Sequence, residues 1–106
     1  MTDPRTATST TDVATEHAAR YLVQLCKHFR HKCPDTAWAE DGSIGHITLP
    51  IGTCRLAATP AALSMTVKAP DPATLAKLEE VVANHLVRFA FREETAVAWR
   101  RLETAG

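Results

Sequence analysis

The feature that most constrains this chain is a change of apolar period, made twice. In "EHAARYLVQLCKHFRHK", residues 16–32, apolar side chains recur at helical spacing: Tyr21, Leu22, Leu25, Cys26 and Phe29 form one stripe, and Arg20, Gln24, Lys27 and His31 fall opposite it. The period then drops to two. "TAWAED", "SIGHITLPI", "TCRLAAT" and "ALSMTVKA" are short segments separated by "DG", "PIG" and "TPA", the turn chemistry of hairpins. Ile47, Leu49 and Ile51 mark one face of the second segment. Leu63, Met65 and Val67 mark one face of the fourth, opposite Ser64, Thr66 and Lys68. From Asp71 the helical period returns, and no proline or glycine follows Pro72 before Glu103.

Local signals set the expected boundaries. Thr15 is the expected N-cap of the first helix, with Glu16 in its first turn, and Cys33-Pro34 ends it because a residue before proline avoids the helical region. Asp71 caps the last helix with Pro72 at its first position, and Leu75, Leu78, Val82, Leu86, Phe89 and Ala96 carry its stripe. About 30 helical residues would span roughly 45 Å, long for so small a domain, so a bend or break is expected between Phe89 and Glu93. Upstream, "TSTTDVAT" is rich in β-branched residues and is read as a first strand. Residues 1–6 are read as a disordered tail and residues 7–103 as one domain.

The resulting order, β-α-β-β-β-β-α, is an α+β domain built on an antiparallel sheet, as in the helix-grip or TATA-binding-protein-like architecture, where a curved sheet holds the long last helix. A chain of 106 residues with 45% apolar and 23% charged side chains has the composition of one globular core. Twelve cationic and twelve acidic residues balance, so no global field draws in nucleic acid or a membrane surface, and any electrostatic argument is local. Three cysteines without paired spacing, and no apolar run long enough for a signal core or membrane span, are read as reduced thiols in a cytoplasmic protein. Cys26 and Cys54 are expected to be buried and inert.

The blocks "ARYLVQLCKHFRHK", "CRLAATPAALSMTVKAPD" and "VVANHLVRFAFREETAVAWR" together resemble the bacterial family called domain of unknown function 2218, over about Ala7 to Arg101. The resemblance implies no catalytic set. It implies at most an association with siderophore-interacting and iron-uptake proteins.

Two constellations carry what chemistry the sequence offers. "CKHFRHKC", residues 26–33, lies in a stretch from His17 to Pro34 without an acidic residue. His28 and His31, three apart, share a helix face and, with Cys33 just beyond the helix end, make a metal reading available, although a fourth ligand is missing locally. The competing reading is a basic helix end in solvent, where Lys27, His28 and His31 suit the helix dipole and attract an anion. Cys33 beside Lys32 and His31 also has the surroundings that activate a thiol. In "HLVRFAFREE", His85, Arg88 and Arg92 share one side of the last helix and are placed to hold a carboxylate or phosphate, with structural pairing to Glu79 or Glu80 as the competitor.

No nucleophile elbow or phosphate loop occurs. The strands bring few cations, Arg55 and Lys68, with Trp38 as their one aromatic, so nucleic acid is not expected. The sequence is therefore read as a non-enzymatic accessory or binding domain that takes a small ligand or a protein partner, with its opening between sheet and last helix; no motif in the sequence calls for a cofactor. The alternative is a metal-binding or thiol-dependent enzyme using His28, His31 and Cys33. Trp38, Phe91 and Trp99 exceed the aromatics a domain of this size needs to bury, which leads to the expectation of a homodimer.

Overall fold

Alternation along the strands decides which face of the sheet is covered. The computed structural model describes residues 7–89 and 97–102. Strand β1 (Ala7–Ala14) leads into helix α1 (Ala18–Arg30); β2 (Ala37–Trp38), β3 (Ile44–Leu49), β4 (Gly52–Ala58) and β5 (Ala62–Ala69) follow as hairpins. Helix α2 (Pro72–Phe89) and a short β6 (Arg100–Leu102) complete the order. All neighbours are antiparallel, in the spatial order β2-β3-β4-β5-β1-β6. The chain is thus an α+β domain, an open antiparallel sheet of six strands with two helices.

Val13, Ile47, Leu49, Cys54, Leu56, Leu63, Met65 and Val67 point to one face and are buried there. Both helices lie on that face: α1 packs on β2 to β5, α2 on β1, β4 and β5, and the helices touch each other. The apolar stripes meet the sheet as their periods require. Tyr21, Leu22, Leu25, Cys26 and Phe29 of α1 are buried, as are Leu75, Leu78, Val82 and Leu86 of α2. The space between sheet and last helix, where the sequence placed an opening, is filled by these side chains, each worth about 1.5–3 kcal/mol of burial. Gly45 lets α1 come down onto β3: a Cβ there would lie 2.8 Å from Cys26 Sγ and 3.0 Å from Leu22 Cδ2.

The helix starts differ from each other in their caps. At α2 the expectation holds: Asp71 Oδ1 accepts from the Thr74 amide at 2.7 Å, and the Thr74 hydroxyl donates to Oδ2 at 3.0 Å. The amide bond holds the Asp71 carboxyl below its ordinary range. At α1 the start is later than Thr15 predicts. Thr15 Oγ1 accepts from the His17 amide at 3.0 Å and closes a turn, and the first helical residue is Ala18. At the other end, the Cys33 amide donates to Phe29 O at 2.7 Å and the helix stops ahead of Pro34, as expected.

The expectation of a last helix of about 30 residues is corrected at its C-terminal end. Helix α2 is described to Phe89, Val97–Trp99 is not helical, and Arg100–Leu102 pairs as a sixth strand, Thr8↔Leu102, Ser9↔Arg101 and Thr10↔Arg100. A free edge of β1 offers unpaired N–H and C=O groups, and three rungs of pairing outweigh the helical preference of a short arginine-rich segment. Arg101 reinforces the placement by donating to Glu79 Oε1 of α2 at 3.3 Å. The expected bend falls largely on residues 90–96, and these, with Phe91 and Arg92, lie outside the described residues, as does the tail of residues 1–6.

Candidate functional site

Among the described residues, two hollows stand out once the core is filled. The first, about 350 Å³, opens where the C-terminal end of α1 meets the middle of α2 and the β3–β4 turn. It is lined by His28, His31, Lys32 and Cys33 from the end of α1, by Val81 and His85 of α2, and floored by Phe29, Leu49 and Pro50. Among the described residues no acidic side chain borders it. The two sequence constellations, 57 positions apart at His28 and His85, are thereby brought together: their rings lie 4.8 Å apart, and the Phe29 ring is 4.7 Å from His85 and 5.7 Å from His28.

The proton on His85 follows from its neighbour. Its Nδ1 lies 2.6 Å from Val81 O, and a carbonyl only accepts, so Nδ1 carries the hydrogen and Nε2 is the remaining ring nitrogen. Burial pushes the His28 pKa below its ordinary value, and positive charge on His85, His31, Lys32 and Arg88 acts in the same direction. The unfolded chain therefore takes up this proton at a higher pH than the folded one. The contribution of His28 to stability is full above the ordinary value of 6.5 and is lost as pH falls through 6.5 toward the lowered folded value. Denaturant midpoints measured from about pH 7.5 to about pH 5 should fall more steeply for the native chain than for His28→Gln. Equal slopes would show that His28 titrates freely.

Of the other residues singled out in the sequence, Arg88 is exposed and near enough to act on His28, whereas Lys27 is exposed on α1 and does not line the hollow. Arg92 lies outside the described residues. Cys33 borders the hollow but is buried, 6% exposed, so its thiol is not presented openly to a substrate. Among the described residues no three His, Cys, Asp or Glu side chains form a group placed to hold a metal ion, and His28, His31 and Cys33 share the hollow without forming one. Cys26 and Cys54 are fully buried; desolvation pushes the Cys26 thiol up to about 11 and the Cys54 thiol further in the same direction. Neither is a thiolate at neutral pH.

Trp38 is half-buried and lies under Arg30, whose guanidinium carbon is 5.6 Å from the ring, and Trp99 packs partly buried against the core. Both tryptophans are therefore used within the chain, while Phe91 lies outside the described residues. No helix among the described residues is long and apolar enough to cross a membrane.

The second hollow, about 620 Å³, lies on the sheet face away from the helices, over β2 to β5. The sequence reading missed it. Alternation alone shows that His46 and Arg55 both face away from the core, but only the strand register shows that they stand side by side.

The class defined by these features is a two-layer α+β domain with one helix-covered sheet face, a histidine-lined hollow at the helix ends and a second hollow on the bare face. The chain belongs to the family of uncharacterised proteins conserved in bacteria, domain of unknown function 2218, whose pattern it matches over residues 10–100. It is similar to the protein in the NMR structure of PA4090 from Pseudomonas aeruginosa, with 38% identity, a TM-score of 0.73, and coverage of 89% of this chain and 95% of that one. No curated protein matches it.

Proposed function

We propose that the chain is a non-enzymatic binding domain of the cytoplasm that takes a small anion in the hollow between α1 and α2. The observation that carries this reading is the convergence of His28, His31, His85 and Lys32 on one concavity with no acidic residue on its wall among the described residues. A hollow of about 350 Å³ suits a small molecule better than a flat protein surface. Lys32 supplies a permanent positive charge at the rim, so affinity falls with salt. The three unpaired cysteines support a reducing compartment. If the siderophore association implied by the family resemblance extends to this chain, the anion is a ferric chelate or its free ligand.

Citrate, alone and with Fe(III), is the probe that tests this. At about pH 6 and low salt, histidine ring resonances of His28, His31 and His85 should shift to saturation, and replacing His28, His31 and Lys32 together with Gln should weaken binding about tenfold or more while leaving the fold intact. Lys27→Gln is the internal control and should change little. Shifts that do not saturate, or a triple variant that binds as the native chain does, would sink the reading.

A further inference from the structure

The bare face of the sheet carries an independent constellation. Register sets Ala37, His46, Arg55, Thr66, Thr10 and Arg100 in one row across six strands. The adjoining row on one side is Ile44, Ala57, Ser64 and Asp12, and on the other side Lys68 stands between Thr53 and Thr8. In these rows, among the described residues, the three permanent cations Arg55, Lys68 and Arg100 face outward against one carboxylate, and Asp12 is already engaged by the hydroxyl of Ser64. Arg55, exposed near the middle of the sheet, has no carboxylate partner among the described residues.

The hydroxyl protons of the central row are taken up within the sheet. Thr10 Oγ1 donates to Met65 O at 3.2 Å, so in its 3.2 Å contact with Thr66 the Thr66 hydroxyl is the donor. Both protons are then committed, and the cationic donor left facing the hollow is Arg55, flanked by His46 and Thr66. Apolar surface adjoins it: Ala39, Ile44 and Ala57 wall the same 620 Å³ hollow, with Ile44 61% exposed.

We propose that this hollow binds a small amphipathic carboxylate, its two oxygens paired with the guanidinium of Arg55 and its apolar body lying on Ala39, Ile44 and Ala57. Charge complementarity selects an anion, and the planar fork of arginine matches a carboxylate bidentately. Size selects a small molecule, since the hollow is within the volume range of ligand pockets. A nucleic-acid strand is disfavoured because stacking needs several aromatic rings on the face, and Trp38, which borders the hollow from β2, is the one aromatic among the described strand residues and already lies under Arg30 of α1. The site lies on the opposite side of the sheet from the histidine-lined hollow, so the two readings stand or fall separately.

Octanoate below its micelle concentration, titrated into the isotopically labelled chain, tests the proposal by amide chemical shifts. Saturable shifts centred on His46, Arg55, Ala57 and Thr66 are expected. Arg55→Gln should raise Kd about tenfold or more, and octanamide should bind the native chain correspondingly weakly. Ala57→Glu should remove binding by placing a like charge beside the carboxylate. Both substitutions are on exposed side chains, and unchanged amide shifts of Leu22 and Val82 verify that each variant is folded. The proposal is overturned by non-saturating shifts, by equal affinity in Arg55→Gln, or by shifts confined to His28 and His85. It is equally overturned if a single-stranded oligonucleotide moves the same resonances at lower concentration, or if they move with protein concentration alone, which assigns the face to a second copy.

Discussion

Phe29→Ala is expected to lower the unfolding free energy by about 3–5 kcal/mol, read from urea denaturation as a shifted midpoint at constant slope. The ring is 6% exposed at the last buried position of α1, it closes the core beside Leu25 and Cys26, and it forms the floor on which His28 and His85 rest. Its removal leaves a cavity that cannot collapse easily, since the helix above and the β3–β4 turn below are each held by their own packing. The same variant should lose citrate binding even where it remains folded, because the two imidazoles lose the surface that sets their spacing. A cost under about 1 kcal/mol would mean that the ring is not part of the core.

Gly52→Ala should destabilise by about 1–3 kcal/mol, although it adds only one methyl group. A Cβ at this position would lie 2.2 Å from the carbonyl oxygen of Lys68 and 2.8 Å from Leu78 Cδ2. The leucine can turn aside, but the carbonyl belongs to β5 and moves only with its strand. The requirement is one of close approach and not of backbone conformation, since Gly42, at φ +74°, is the glycine with positive φ among the described residues. Gly42→Ala therefore serves as a contrast with a different cause: there a side chain meets both a left-handed backbone and the carbonyl of Ala19, 2.8 Å away. Thermal or denaturant unfolding of both variants measures the two costs, and a neutral Gly52→Ala would show that β4 and β5 can separate without loss.

The candidate sites divide along the same line as these two predictions. His28, His31 and His85 were each visible as polar residues beside an apolar stripe, and the helix phase that buries Phe29 also leaves Lys27 and His31 in solvent. Their convergence was not visible, because nothing within α1 or α2 states which turn of one helix meets which turn of the other. Arg55 and His46 were likewise visible as outward residues of separate strands. The row that joins them exists only once His46 pairs with Arg55 and Arg55 with Thr66.

Whatever depends on neighbours within a few residues is legible in the chain alone. This includes the two amphipathic stripes, the alternation that separates Leu63, Met65 and Val67 from Ser64, Thr66 and Lys68, the Asp71 cap and the break before Pro34. Local sterics and burial act through spacings of two and 3.6 residues, and those spacings are written in the chain. Only the tertiary structure decided the rest: β6, the pairing of the two histidine constellations, the bare cationic row and the need for glycine at Gly52. Each is a contact between segments far apart in sequence, where a free strand edge, a helix crossing or a neighbouring carbonyl outweighs what the local residues prefer.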